Sequence, residues 1–175
     1  SLRPDRVIEI GTASGVSSAM ILKALLDPES AGDRTGPRLF TFDISPYCYF
    51  DTSRPVGSAV REMAPELAQG MSILAGKTAA DAAAMFANNP VPVVFIDGDH
   101  RHPFPTLDLL TILPAVRPGG WVVLHDVNLP TFAREHEERT GETVDWHHHG
   151  AKTLFDLWPH AKVAGIGGAF NIGAI

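Results

Sequence analysis

The sequence predicts an α/β fold: a doubly wound, mostly parallel sheet with helices on both faces. Three observations carry that expectation. First, Val93-Val94-Phe95-Ile96 and Trp121-Val122-Val123-Leu124 have the length of strands and no polar interruption, as strands buried on both faces of a parallel sheet do. Second, the segment between them is helical: Leu107, Leu110, Thr111 and Leu113 fit one helical face, and Pro118-Gly119-Gly120 ends the helix and turns the chain. Third, the chain opens with a strand, a glycine loop and a helix, which lets backbone approach a nucleotide-like ligand closely. A crossover helix makes its two strands parallel and sets their C-terminal ends side by side. That edge is where open α/β sheets bind ligands.

The elements follow in order. Val7-Ile8-Glu9-Ile10 is the first strand; it enters Gly11-Thr12-Ala13-Ser14-Gly15, and Val16 to Leu26 reads as a helix with Ser17 or Ser18 in its first turn. The loop is E-x-G-x-x-x-G, with Ala13 where the dinucleotide fingerprint has its middle glycine. An acid at the end of this strand repels a pyrophosphate and suits a ligand carrying an ammonium group. A polar linker, Asp27 to Pro37, leads to the strand Leu39-Phe40-Thr41-Phe42 and then Asp43. Two carboxylate oxygens there match the adjacent hydroxyls of a ribose; the alternative is a turn cap. Ser45 to Pro55 reads as a loop whose Tyr47, Tyr49 and Phe50 line either core or pocket. Val56 to Leu67 is a short helix interrupted by Pro65. Met71-Ser72-Ile73-Leu74 is the third strand, and Ala75-Gly76 beyond it leaves room for a flat adenine or makes a simple turn. Thr78 to Asn88 is an alanine-rich helix.

After Asp126 the pattern loosens. Residues 127–150 hold one charged helix, Ala133 to Arg139, and the run Trp146-His147-His148-His149, and they sit where a substrate-covering insertion would. Adjacent histidines cannot all face one ion, so a polar loop is the better reading, with His147 and His149 sharing a face in extended chain. Thr153 to Trp158 is a short helix. Lys162 to Ile166 and Phe170 to Ala174, around Gly167-Gly168, form a closing hairpin at the sheet edge.

The chain is 175 residues long, 45% hydrophobic and 19% charged, the profile of one ordinary globular domain spanning residues 1–175. A net charge of −6 without a basic run argues against nucleic acid or an anionic membrane as partner. No apolar segment approaches the ~20 residues that span a bilayer, and no secretory signal precedes the fold. Cys48 is alone and reads as an inert thiol; a cytoplasmic location is expected.

Val7 to Gly15 resembles motif I of the class I S-adenosylmethionine-dependent methyltransferases. F-I-D-G-D-H followed by L-x-P-x-V-R-P-G-G-W-V-V-L-H-D resembles the methyltransferase-24 type of small-molecule O-methyltransferases. It is also similar to the macrocin and novobiocin sugar O-methyltransferases and, more distantly, to catechol O-methyltransferase. The resemblance implies a Rossmann-like sheet of seven strands in the order 3-2-1-4-5-7-6, the last antiparallel, matching the strand candidates above.

It also implies S-adenosylmethionine as cofactor, with Glu9, Gly11, Thr12, Ala13 and Gly15 around the methionine moiety, Asp43 on the ribose, and Gly76 and Asp97 completing the site. In metal-dependent members, carboxylates ending the fourth and fifth strands hold Mg²⁺; carried over, these are Asp97 and Asp126. Many members have a second acid or an amide next in sequence, where this chain has Val127; the nearest substitute is Asn128. The base maps to Asp99, with His100 as rival because imidazole titrates near neutrality. A carboxylate base requires a metal-acidified hydroxyl; without metal, His100 or His125 serves.

Class I enzymes carry helices before motif I, whereas only Ser1 to Arg6 stand there in this sequence. A second copy of the chain could lend that cover, so a homodimer is an expected assembly. The expected activity is methyl transfer to a hydroxyl of a small molecule, such as a sugar or glycosylated natural product. The alternatives are a non-catalytic S-adenosylmethionine- or nucleotide-binding module and an NAD-dependent oxidoreductase.

Overall fold

A computed structural model describes residues 4–26, 36–143, 148–167 and 170–175. Its main sheet has seven strands: β1 (Val7–Ile10), β2 (Leu39–Asp43), β5 (Met71–Ala75), β6 (Val91–Ile96), β7 (Val116–His125), β8 (Val163–Ala164) and β9 (Ile172–Ala174). They lie side by side as β5-β2-β1-β6-β7-β9-β8. β3 (Tyr47–Cys48) and β4 (Asp51–Pro55) form a separate antiparallel hairpin. With that hairpin left out of the count, the spatial path is the expected 3-2-1-4-5-7-6. The five strands from β5 to β7 are parallel, and β9 runs antiparallel to both β7 and β8.

Strand alternation sorts side chains to two cores. Ile8 and Ile10 of β1, with Val94 and Ile96 of β6 and Val122 and Leu124 of β7, pack against α3 (Ala79–Phe86), α4 (Phe104–Ile112) and α6 (Gly150–Leu157). Val7 and Leu39 face the other way, against Leu22 and Leu25 of α1 (Val16–Leu25) and Val60 of α2 (Ser58–Met63). Arg38, just before β2, is buried at the foot of this second core. Its guanidinium donates to the carbonyls of Pro4, Asp5 and Leu25, tying the first described residues to the C-terminal end of α1. Such a charge is held below ground by oriented carbonyl dipoles in place of a carboxylate.

Several expectations are corrected. The stretch from Ser45 to Pro55 is a hairpin, and Tyr47, Tyr49 and Phe50 are all exposed, so they line no core. The buried face of α4 is Pro105, Leu109 and Ile112, while Leu107, Leu110 and Leu113 are exposed. That helix is apolar nearly all round, so periodicity offered more than one stripe, and packing against α3 and α6 selected between them. Pro118-Gly119-Gly120 lies within β7 rather than ending a helix, and Gly119 has φ +75°. A 3₁₀ turn, Leu113–Ala115, closes α4 instead. Pro65 starts a second 3₁₀ segment, Pro65–Gly70, so α2 stops at Met63. The charged helix α5 (Leu129–Thr140) begins before the expected Ala133. Trp146 and His147 lie outside the described residues. No helix among the described residues is long and apolar enough to cross a membrane.

The strand ends are joined at the C-terminal edge by backbone hydrogen bonds: Gly11 N–H to the Phe42 carbonyl at 2.8 Å, Asp97 N–H to the Ile10 carbonyl at 2.8 Å, and Lys77 N–H to the Asp43 carbonyl at 3.0 Å. Gly11 (φ +94°) comes so near β6 that a Cβ on it would stand 2.2 Å from the Asp97 carbonyl oxygen. Gly11→Ala therefore combines left-handed strain with a backbone clash and is expected to cost about 2–5 kcal/mol. A fall in the urea midpoint at unchanged m-value would show it; an unchanged midpoint would mean that the loop relaxes freely.

Candidate active site

The glycine loop is built from below and from the side. Glu9 of β1 is fully buried, and its two oxygens accept the Ser17 hydroxyl at 2.6 Å and the Ser18 hydroxyl at 2.5 Å. Burial raises its pKa, against the lowering effect of the Ser17, Ser18 and Thr41 hydroxyls. This carboxylate pins the start of α1 to β1 beneath the loop, so its oxygens are spent on the protein. Thr12 is likewise turned inward, its hydroxyl 2.6 Å from that of Thr41. Ala13 takes φ +43°, a left-handed conformation for which glycine is better suited.

Asp43 is the lateral clamp. Its Oδ2 accepts the backbone N–H of Thr12 at 3.1 Å and of Ala13 at 2.9 Å, while Oδ1 accepts the Ser45 N–H at 2.9 Å. This carboxylate thus shapes the loop through three backbone N–H groups. Across from it, Gly76 (φ +71°) has open space where a side chain would be. The loop's far side rests on Gly57, which sequence reasoning missed. The Gly57 N–H donates to the Ala13 carbonyl at 2.9 Å, and a Cβ on Gly15 would lie 2.9 Å from the Gly57 Cα. From the sequence, Gly57 is expected inside a helix beginning at Val56, whereas it is the left-handed residue before α2, with φ +74°.

At the ends of β6 and β7 the structure gathers Asp97, His100, His125 and Asp126. His100 Nε2 lies 3.2 Å from Asp97 Oδ1, and its Nδ1 lies 2.6 Å from Asp126 Oδ2. His125 Nδ1 stands 2.9 Å from Asp97 Oδ1 and 3.2 Å from Asp126 Oδ1. That atom is shut off from solvent yet makes no aligned hydrogen bond with any described residue. Asp126 adopts φ +61°, a conformation an aspartate tolerates better than most residues. Asn171, at the approach to β9, donates to Asp126 Oδ1 from its amide and accepts the Asn128 N–H at 2.9 Å. No short-range pattern announces that residue, because its partner is distant in sequence.

The electrostatics follow from this packing. Burial alone would lower the His100 pKa, but its contacts with Asp126 and Asp97 raise it to about 9. His125 rises to about 10, chiefly through Asp126 and then Asp97. Burial works to raise both carboxylates, yet the two imidazoles hold Asp97 and Asp126 below the usual range.

Asp99 lies outside the four. Arg101 grips both its oxygens, with Nε at 2.9 Å from Oδ1 and 3.1 Å from Oδ2, and holds its pKa low. Its side chain is 32% exposed, so it faces the open rim. Val127 is turned into the core against Gly173 and offers no ligand atom. The Asn128 amide donates to the Phe170 carbonyl. From the segment after α5, His148 places its ring 6.1 Å from that of His100, and His149 stacks on His102 at 5.8 Å.

A parallel sheet with a glycine loop after β1, an acid after β2 and ionisable groups after β6 and β7 defines a nucleotide-cofactor enzyme scaffold. A methyltransferase-domain family profile matches residues 8–127, and the chain belongs to that family, one of the class I S-adenosylmethionine-dependent methyltransferases. Solved structures agree on the fold. Cofactor-bound Rv0187 from MTB superposes with a TM-score of 0.62 at 19% identity, over 98% of this chain and 72% of that one. The O-methyltransferase TomG from Streptomyces achromogenes, involved in tomaymycin synthesis and solved with SAM, gives 0.57 at 20%, over 98% and 72%. The Bacillus cereus O-methyltransferase in complex with SAH gives 0.59 at 20%, over 98% and 74%. No curated protein matches the chain.

Because Asp43 braces the loop through three backbone N–H groups, Asp43→Ala is expected to cost about 2 kcal/mol of stability. A thermal melt lowered by several degrees would reveal it; an unchanged melt would leave Asp43 without a structural part.

Proposed function

We propose that this chain is an S-adenosylmethionine-dependent O-methyltransferase acting on a hydroxyl of a small molecule, such as a sugar or glycosylated natural product, in the cytoplasm. The observation that carries the reading is the continuity of one edge: the clamped glycine loop, Gly76 and Asp43 adjoin the cluster of Asp97, His100, His125 and Asp126 through the Gly11–Asp97 contact. The loop residues and Asp43 would hold the cofactor beside the cluster, and it would supply the methyl group there to an acceptor oxygen.

In this reading Gly11, Thr12, Ala13 and Gly15 supply backbone to the methionine end, Asp43 and Gly76 frame ribose and adenine, and Glu9 acts through the loop it supports. The NAD-dependent alternative loses its ground with the family assignment.

Asp99 takes the base role that the resemblance gives it, as a carboxylate at the open rim whose oxygens Arg101 holds, with His100 and His125 as its rivals. A divalent cation, Mg²⁺ by the resemblance, would be held beside Asp97 and Asp126 and would supply the acidity that a carboxylate base requires of a hydroxyl. Nothing in the charge of the surface favours nucleic acid as acceptor. A second copy of the chain remains the proposed source of further cover.

Calorimetric titration with S-adenosylhomocysteine and NAD tests the cofactor. Micromolar binding of the former and none of the latter is expected; binding of neither would withdraw the enzyme reading. Asp99→Asn is expected to lower kcat by about 10²–10⁴-fold with S-adenosylhomocysteine affinity intact. Full turnover in that variant would return the base role to an imidazole.

A further inference from the structure

Asp97, His100 and His125 each offer one ligand atom to a common point, and all three atoms lie within 4.8 Å of one another. The measured separations are those of neighbouring ligands on one ion. Bonds of about 2.0–2.2 Å place adjacent ligands of a first-row ion about 3 Å apart. Here Asp97 Oδ1 is 2.9 Å from His125 Nδ1 and 3.2 Å from His100 Nε2.

Two further observations point the same way. His125 Nδ1 is buried at contact distance from two carboxylate oxygens and bonded to neither, an orphan of the kind an ion resolves. His100 has its second nitrogen, Nδ1, 2.6 Å from Asp126 Oδ2, and Asp126 is itself fixed by Asn171. A ligating imidazole is characteristically oriented by a carboxylate on its other nitrogen.

We infer that Asp97, His100 and His125 form a two-histidine, one-carboxylate site for a first-row transition-metal ion such as Mn²⁺, Fe²⁺, Co²⁺ or Zn²⁺, with Asp126 positioning His100 rather than binding the metal. The inference rests on the reading that a cation sits beside Asp97 and changes its class. Mg²⁺ prefers oxygen ligands and water, whereas imidazole nitrogens suit the transition ions. The buried Val127 offers no oxygen ligand beside Asp126, and the two rings supply nitrogen.

The test is titration of the chelator-treated protein with Co²⁺, followed by its visible d–d absorption, with Zn²⁺ and Mg²⁺ as competitors. One Co²⁺ per chain is expected, displaced by equimolar Zn²⁺ and untouched by Mg²⁺ at about a thousandfold excess. His125→Ala and His100→Ala should each weaken Co²⁺ binding at least tenfold, and Asp126→Asn by about 10- to 100-fold. Far-UV circular dichroism and the volume-matched His125→Gln separate loss of a ligand from loss of fold, and His136→Ala should bind as the parent does.

Equal competition by Mg²⁺, or unchanged Co²⁺ affinity in His125→Ala, overturns the inference. If Asp97→Asn still abolishes binding in that case, the oxygen-held cation stands. No binding of any divalent ion removes both. S-adenosylhomocysteine binding on the same samples reports the methyltransferase reading separately.

Discussion

The contact between Gly11 and the backbone of Asp97 is the constraint on which the rest of the edge depends. It exists because one residue has no side chain: a single methyl group would meet the Asp97 carbonyl oxygen. Through it the β1 loop and the end of β6 share one surface, and the Asp97 N–H completes the join to Ile10. Without that proximity the glycine loop and the ionisable cluster would be two separate features of a sheet. With it, they are one continuous edge.

Charge burial shapes both halves, and in each the solution is local pairing. Under the loop, the buried Glu9 is hydrogen-bonded by the Ser17 and Ser18 hydroxyls, and the gain is rigidity at the start of α1. At the cluster, two carboxylates and two imidazoles offset one another, and each of the four pKa values moves in the direction opposite charges impose. Asp99, bound to Arg101, stays at the open rim.

Much of the sheet was legible because its central strands are uninterrupted β-branched and aromatic runs, which have few other homes. The carboxylates and imidazoles were legible for a related reason: they stand where those runs stop. What failed were choices made by packing. The buried stripe of α4 depended on where α3 and α6 lay, and an all-round apolar helix does not disclose that. The charged helix was expected from Ala133, yet α5 begins at Leu129 with Pro130 in its first turn, where proline is at home. The β3–β4 hairpin is polar and turn-rich, so no alternation marked it. Gly57 and Asn171 act only through partners far along the chain, and the clamp role of Asp43 on the loop is a matter of hydrogen bonds that spacing does not encode.

Asn171 has a consequence for the order in which the site matures during synthesis. It fixes Asp126 from 45 residues further along the chain, on the approach to a strand that must thread in antiparallel beside β7. At a synthesis rate of roughly 5–20 residues per second, seconds pass between the emergence of the two. During that interval the nascent chain already has the residues of its glycine loop and of β1, β2, β5 and β6, but the carboxylate after β7 has no tether. The glycine-loop half of the edge can therefore be assembled on the ribosome, whereas the ionisable half is a late acquisition that waits for the closing hairpin.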